Sequence, residues 1–167
     1  MISRLEKTLF RLEAQHACLT WAFEQIADKP GPIFELGLGL GRSFNHMRLK
    51  LGARAKDIVV FEREVRCYPD CQPDDEQLVI GNLDETLPKA AEKYAGTVVL
   101  AHSDVGSMDK EHNAMMSGLV SKNLGPALAD GAIVMSDLPL DIPGCSPHPL
   151  PGNARDDRYY LYVKSCD

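Results

Sequence analysis

The chain has 167 residues, 44% hydrophobic and 25% charged, an ordinary composition for a globular domain with a sizeable core. Its 18 basic and 24 acidic residues leave a formal charge of −6, which speaks against a polyanion and so against nucleic acid as a partner. No run reaches the roughly 20 apolar residues of a membrane span, and the polar N-terminus is not a signal peptide. The odd set Cys18, Cys67, Cys71, Cys145 and Cys166 reads as free thiols in a reducing, cytoplasmic compartment.

Residues 3–27 place Leu5, Leu9, Leu12, His16, Leu19, Phe23 and Ile26 at steps of three and four, the stripe of an amphipathic helix. Lys29-Pro30-Gly31-Pro32 stops it. A rhythm of short β-rich runs and helical patterns follows. The predicted strands are 33–36, 57–62, 77–82, 97–104, 131–137 and 158–164. The predicted helices are 43–51, 84–94 and 110–123. Residues 63–76, rich in Pro, Asp and Cys, fit neither pattern. A basic cluster (Arg48, Lys50, Arg54, Lys56) reads as a solvated helix and loop face.

Continuous apolar runs such as Ile58-Val59-Val60-Phe61 and Val98-Val99-Leu100-Ala101 suit parallel strands buried on both faces. The alternation predicts a doubly wound α/β sheet, mostly parallel, with helices on both faces. Residues 138–157 hold five prolines and no helical period. The final run, RYYLYVK, follows without a crossover helix and is expected to lie antiparallel at or near the sheet edge. The short edge this leaves suggests a homodimer in which a second subunit covers it.

The ligand signal lies in IFELGLGLGRSF, residues 33–44. A strand runs into Gly37, Gly39 and Gly41 and then into a helix opened by Ser43, with Glu35 two residues before the first glycine. Glycine permits the tight turn and lets a ligand approach the backbone, and the helix start offers free N–H groups. A dinucleotide fingerprint needs G-x-G-x-x-G. Counting from Gly37 ends on Arg42, and counting from Gly39 ends on Phe44, so neither register serves NAD.

The motif E-x-G-x-G-x-G resembles the first motif of class I, Rossmann-like methyltransferases that use S-adenosyl-L-methionine. The resemblance covers about residues 31–137. An acid suits a ligand whose methionine end carries an ammonium and a sulfonium, and would work against a pyrophosphate. The resemblance implies that Glu35, Gly37, Gly39, Gly41 and Ser43 line the cofactor. It implies that Glu62, at the end of the second strand, accepts from the ribose hydroxyls, with Glu64 as the competing candidate. Asn82 and Leu83 would meet the adenine, and His102 and Ser103, at the end of the fourth strand, would flank the cofactor. The segment Leu128 to Asp137 is similar to the family's last motif, with Asp130 in place of the first glycine of a pair.

The implied organisation is a single domain, 1–167. It comprises an N-terminal helical segment (1–30), a cofactor-binding core (31–137) and a proline-rich loop with the terminal strand (138–167). The implied activity is methyl transfer to a small molecule. The only material for a lid is the loop 138–157 and the first helix with Phe10, Trp21 and Phe23. His102 and Asp104 are the candidate catalytic residues, His102 as general base. Asp104 and Asp137 fall where some related O-methyltransferases bind magnesium, but Leu138 replaces one ligand, so no metal is expected. Cys67 and Cys71 are too widely spaced for a zinc C-x2-C pair. His16, His46, His112 and His148 have no motif around them. The alternatives are a protein of this fold that binds the nucleoside without transferring methyl, and an NAD-dependent oxidoreductase.

Overall fold

The computed structural model describes residues 1–155 and 157–166. One sheet contains β1 (Ile33–Leu36), β2 (Ile58–Glu62), β3 (Leu78–Ile80), β4 (Val98–Ser103), β5 (Leu128–Ser136), β6 (Cys145–Pro147) and β7 (Tyr160–Lys164). Their order is β3-β2-β1-β4-β5-β7-β6. The first five are parallel, and β7 runs antiparallel between β5 and β6. The helices are α1 (Arg4–Gln25), α2 (Arg42–Leu51), α3 (Leu83–Lys93) and α4 (Lys110–Asn123).

The predicted fold class therefore matches the architecture, with differences in detail. β6 lies inside the tract expected to be an irregular loop. It is three residues long and ends in Pro147, too short for any periodicity to show. It pairs with β7, so β7 lies next to the sheet edge, as expected, and the three-residue β6 forms the edge itself. The segment 63–76 resolves into two single 3-10 turns, Pro69–Cys71 and Asp75–Gln77. Gln77 anchors the second turn, its Nε2 donating to the carbonyls of Ala55 (2.8 Å) and Ile58 (3.2 Å).

α1 begins with a capping box. Ser3 Oγ accepts from the Glu6 N–H at 3.1 Å, and Glu6 accepts from the Ser3 N–H at 2.7 Å. The buried face of this helix differs from the predicted stripe. Ala14, Gln15, Cys18, Leu19 and Ala22 are buried, whereas Leu5, Leu9 and Leu12 are exposed. Small residues allow the helix to approach the sheet closely along its second half. Its first half projects past the ends of β4 and β5, where Arg11 reaches Asp104.

The core has two layers. On one face of the sheet, α1 and α2 pack through Cys18, Leu19, Ile26, Phe44 and Met47 onto Ile33, Ile58, Val60 and Leu100. On the other, α3 and α4 pack through Leu87, Ala91, Val120 and Leu124 onto Phe34, Leu36, Phe61 and Val134. Phe34 is fully buried, its ring 5.0 Å from that of Phe61 and 5.5 Å from that of Tyr94. Truncation to Ala leaves a cavity between two edge-on aromatic rings. Phe34→Ala is expected to cost about 3–5 kcal/mol, read as a lower urea midpoint at unchanged slope.

Candidate active site

In a doubly wound sheet the ligand crevice opens at the carboxyl ends of the strands, where successive connections leave in opposite directions. β1 lies between β2 and β4, so the crevice lies beyond Leu36 and Ser103. The turn that leaves β1 is the glycine segment. Gly37, Gly39 and Gly41 all have positive φ, at +87°, +52° and +83°. Close approach adds to the demand at two of them. A Cβ on Gly37 would lie 2.9 Å from the Asp104 carbonyl oxygen, and one on Gly41 would lie 2.6 Å from Cys71 Cβ. At Gly39 nothing stands within 4 Å. The turn is thus clamped at both ends and open at its middle.

Glu62, at the end of β2, holds the open middle. Its Oε2 accepts from the N–H groups of Leu38 (2.9 Å) and Gly39 (3.1 Å). Its Oε1 accepts from those of Arg63 (2.7 Å) and Glu64 (3.3 Å). Glu64, the competing candidate, is exposed and pairs with Arg66. Asn82 caps α3 through its backbone alone, its side chain exposed and without a capping bond, and Leu83 follows half-buried. Ser103 is buried with no partner for its Oγ among the described residues. The crevice therefore presents a bare glycine turn, a carboxylate one strand away and an exposed amide. These suit a nucleoside with hydroxyl and amine donors and no phosphate.

Glu35 and His102 are side by side in the register of β1 and β4, and both are 0% exposed. Glu35 Oε2 lies 2.5 Å from His102 Nδ1, and Glu35 Oε1 accepts from Ser43 Oγ. On the far side of the ring, His102 Nε2 is 2.6 Å from the Tyr159 hydroxyl and 3.2 Å from Gln15 Nε2. Gln15 Nε2 is also 3.2 Å from Asp104 Oδ2, and Arg11 closes the chain on Asp104 Oδ1 at 3.4 Å. Burial disfavours the charged imidazole, but the Glu35 carboxylate outweighs it, and the pKa of His102 is raised. Burial also pushes the Tyr159 hydroxyl well above its ordinary range. Neither ring nitrogen of His102 is open to a ligand. Glu35, likewise, meets Ser43 and His102 and has no exposed surface.

Asp104 and Asp137 stand at the ends of β4 and β5. Asp137 Oδ2 accepts from the Gly106 N–H at 2.9 Å, while Oδ1 is buried with no donor among the described residues. Burial and the neighbouring Asp104 carboxylate raise the pKa of Asp137 to about 6. Among the described residues no group of three or more His, Cys, Asp or Glu side chains is arranged to hold a metal.

Several participants escaped the sequence reading. Gln15 and Arg11 lie four residues apart on α1, as does Lys7 before them, so a polar stripe was present but masked by the leucines beside it. Tyr159 sits just before β7 and carries no motif. In the sequence Asp137 stands out only as the end of the last motif and as a possible metal ligand. Two of the aromatics named as lid material, Phe10 and Trp21, pack on the other lid element, the loop 138–157. Trp21 lies tilted against His148 with ring centres 4.6 Å apart, Arg155 lies 3.7 Å above Phe10, and Phe23 stacks on His46 at 6.2 Å.

The sequence profile of a family described as S-adenosyl-L-methionine methyltransferase matches residues 2–164. No curated protein matches the chain. A crystal structure of an S-adenosyl-L-methionine methyl transferase from Silicibacter pomeroyi DSS-3 is 36% identical, with a TM-score of 0.93 over 99% of this chain and 100% of that one. The antibiotic-resistance methyltransferase Kmr, 9% identical, superposes with a TM-score of 0.51 over 89% of this chain and 93% of that one, a likeness of fold alone.

Two substitutions test the electrostatics of this site. Asp137 titrates near 3.8 when unfolded and at about 6 when folded, so the unfolded chain releases its proton first as pH rises. Stability therefore falls between these values and stays at the lower level above them. Asp137→Asn is expected to raise unfolding free energy at pH 8 by up to about 3 kcal/mol and to leave it unchanged at pH 3, measured by urea titration. His102→Leu strands the Glu35 carboxylate in the core and is expected to cost about 3–5 kcal/mol at pH 7.

Proposed function

The chain belongs to the S-adenosyl-L-methionine methyltransferase family, and on that premise we propose that it methylates a small molecule held over the carboxyl ends of β4 and β5. S-adenosyl-L-methionine is the cofactor, and it supplies an electrophilic methyl group on a sulfonium. One observation carries the reading. The Gly37 backbone is pressed against Asp104, so the cofactor turn and the Asp104–Asp137 pair share one wall of the crevice.

In this reading Gly37, Gly39 and Gly41 shape the cradle. Glu62 holds the ribose, and Asn82 and Leu83 face the adenine. Glu62 accepts four backbone N–H groups in the structure described here, and its two oxygens are the acceptors that ribose hydroxyls need. Ser43 joins this cradle to Glu35 at the first turn of α2. Glu35 and His102 act as positioning residues, because both are enclosed.

Proton removal falls to the carboxylate pair. As the acceptor heteroatom forms its bond to the methyl carbon, the electrons of the broken carbon–sulfur bond stay on sulfur. The acceptor's proton passes to Asp137 or Asp104. A base titrating at about 6 is mostly ionised at neutral pH yet basic enough to take a proton. The groups around it are Asp104, His102, Tyr159, the Gly106 N–H and, across the adjoining cavity, Lys7, Arg11, Asp157 and Arg158.

Calorimetric titration with S-adenosyl-L-methionine and with NAD tests the cofactor site, and transfer of labelled methyl across a panel of phenols, amines and thiols tests the reaction. Binding of the first ligand alone, with label on at least one acceptor, is expected. Heat from NAD with none from S-adenosyl-L-methionine would overturn the reading. Glu62→Ala is expected to weaken cofactor binding by about tenfold or more, and Glu62→Gln by less, since one oxygen remains. The rate of methyl transfer is expected to fall as pH drops through about 6, and a flat profile from pH 5 to 8 would remove Asp137 from the proton transfer.

A further inference from the structure

A cavity of about 290 Å³ opens between the first turns of α1 and the segment before β7, lined by Lys7, Thr8, Arg11, Asp137, Asp157 and Arg158. In a chain of net charge −6 it gathers three cations. Their existing partners leave capacity unused. Arg11 meets Asp104 at 3.4 Å through one nitrogen, and Arg158 meets Asp157 at 3.0 Å, an acid whose side chain is 68% exposed. Lys7 has no ion-pair partner among the described residues. Thr8 bonds to the carbonyl of Arg4 and serves as wall.

Two atoms at this cavity are buried without any partner among the described residues: Arg158 Nε, a donor, and Asp137 Oδ1, an acceptor. An unmade hydrogen bond on a buried charged group is costly, so such atoms are rare away from ligand sites. Here one of each kind belongs to a residue in the wall of the same small space, just behind its surface.

We propose that this cavity is the acceptor subsite and that it takes a small carboxylic acid bearing a hydroxyl or amine, with Lys7 and Arg158 holding the carboxylate and Asp137 facing the O–H or N–H to be methylated. The inference rests on the methyl-transfer reading above. The size lies at the lower edge of ligand cavities, which suits a compact acid. A neutral phenol or thiol leaves Lys7 and the spare donors of Arg158 without an anion, and a ligand without an X–H group gives the Asp137 carboxylate nothing to accept. The anchoring carboxylate and the nucleophile are different groups of the acceptor, because a carboxylate is attracted by Lys7 and Arg158 and repelled by Asp137.

The test uses the full chain with S-adenosylhomocysteine bound, titrated calorimetrically with 4-hydroxybenzoate, anthranilate and 3-hydroxybutyrate, each beside its methyl ester. At least one acid is expected to bind about tenfold or more tighter than its ester. Lys7→Gln, on an exposed helix turn, and Arg158→Gln are each expected to weaken that acid by about fivefold or more without changing affinity for S-adenosylhomocysteine. In the labelled-methyl assay the same acid is expected to take label that survives mild alkali. Three results overturn the inference: no acid binding, esters binding as well as acids, or alkali-labile label, which would place the methyl on the carboxylate itself. Failure of S-adenosylhomocysteine to bind would instead overturn the parent reading.

Discussion

A carboxylate and an imidazole meet at 2.5 Å inside the sheet, with no water-accessible surface on either, and much of the molecule is arranged around that fact. Buried ion pairs are costly to desolvate and add little stability unless their remaining atoms are satisfied. Each remaining atom therefore recruits an element. Ser43 brings the first turn of α2 to Glu35, Tyr159 brings the start of β7 to His102, and Gln15 brings α1. The pair also punishes misregistration. Slipping β4 by one residue against β1 would turn His102 away from Glu35 and onto the opposite layer of the core.

The same polar chain links the two ends of the crevice. It starts beside the glycine turn and finishes on Asp104, at the mouth where Asp137 also stands. Fixed dipoles and charges around a reacting centre need no reorganisation at the moment of reaction. The arrangement carries a cost in stability at Asp137, whose ionised form is disfavoured by burial and by Asp104. Perturbed carboxyl groups of this kind concentrate at functional sites, and here the perturbation falls at the strand ends where the topology also opens the crevice.

The glycine turn is held in place by the protein itself. Glu62 grips four backbone N–H groups across two segments, and Gly37 and Gly41 are pinned by Asp104 and Cys71. The 3-10 turns that replace a helix between β2 and β3 explain the second pin, because they bring Cys67 and Cys71 over the turn. α1 plays a similar double role. Its second half buries small residues on the sheet, and its first half carries Lys7 and Arg11 over the mouth.

Local physics was written plainly in the amino-acid order. Apolar runs marked the parallel strands, glycines with an acid before them marked the turn, and Glu62 and Asn82 stood at strand ends. Each of these depends on neighbours within a few residues or on chain reversal at a strand end, so spacing alone announces it. What only the tertiary structure decided was the company each polar group keeps. Glu35 turned inward to His102, the leucine stripe of α1 was left half in solvent, a three-residue strand formed the sheet edge, and Lys7, Arg11 and Arg158 met around Asp137. Those groupings gather residues as many as 151 positions apart, Lys7 and Arg158 in one cavity wall, and their energy depends on burial and distance, quantities that appear only once the chain has folded.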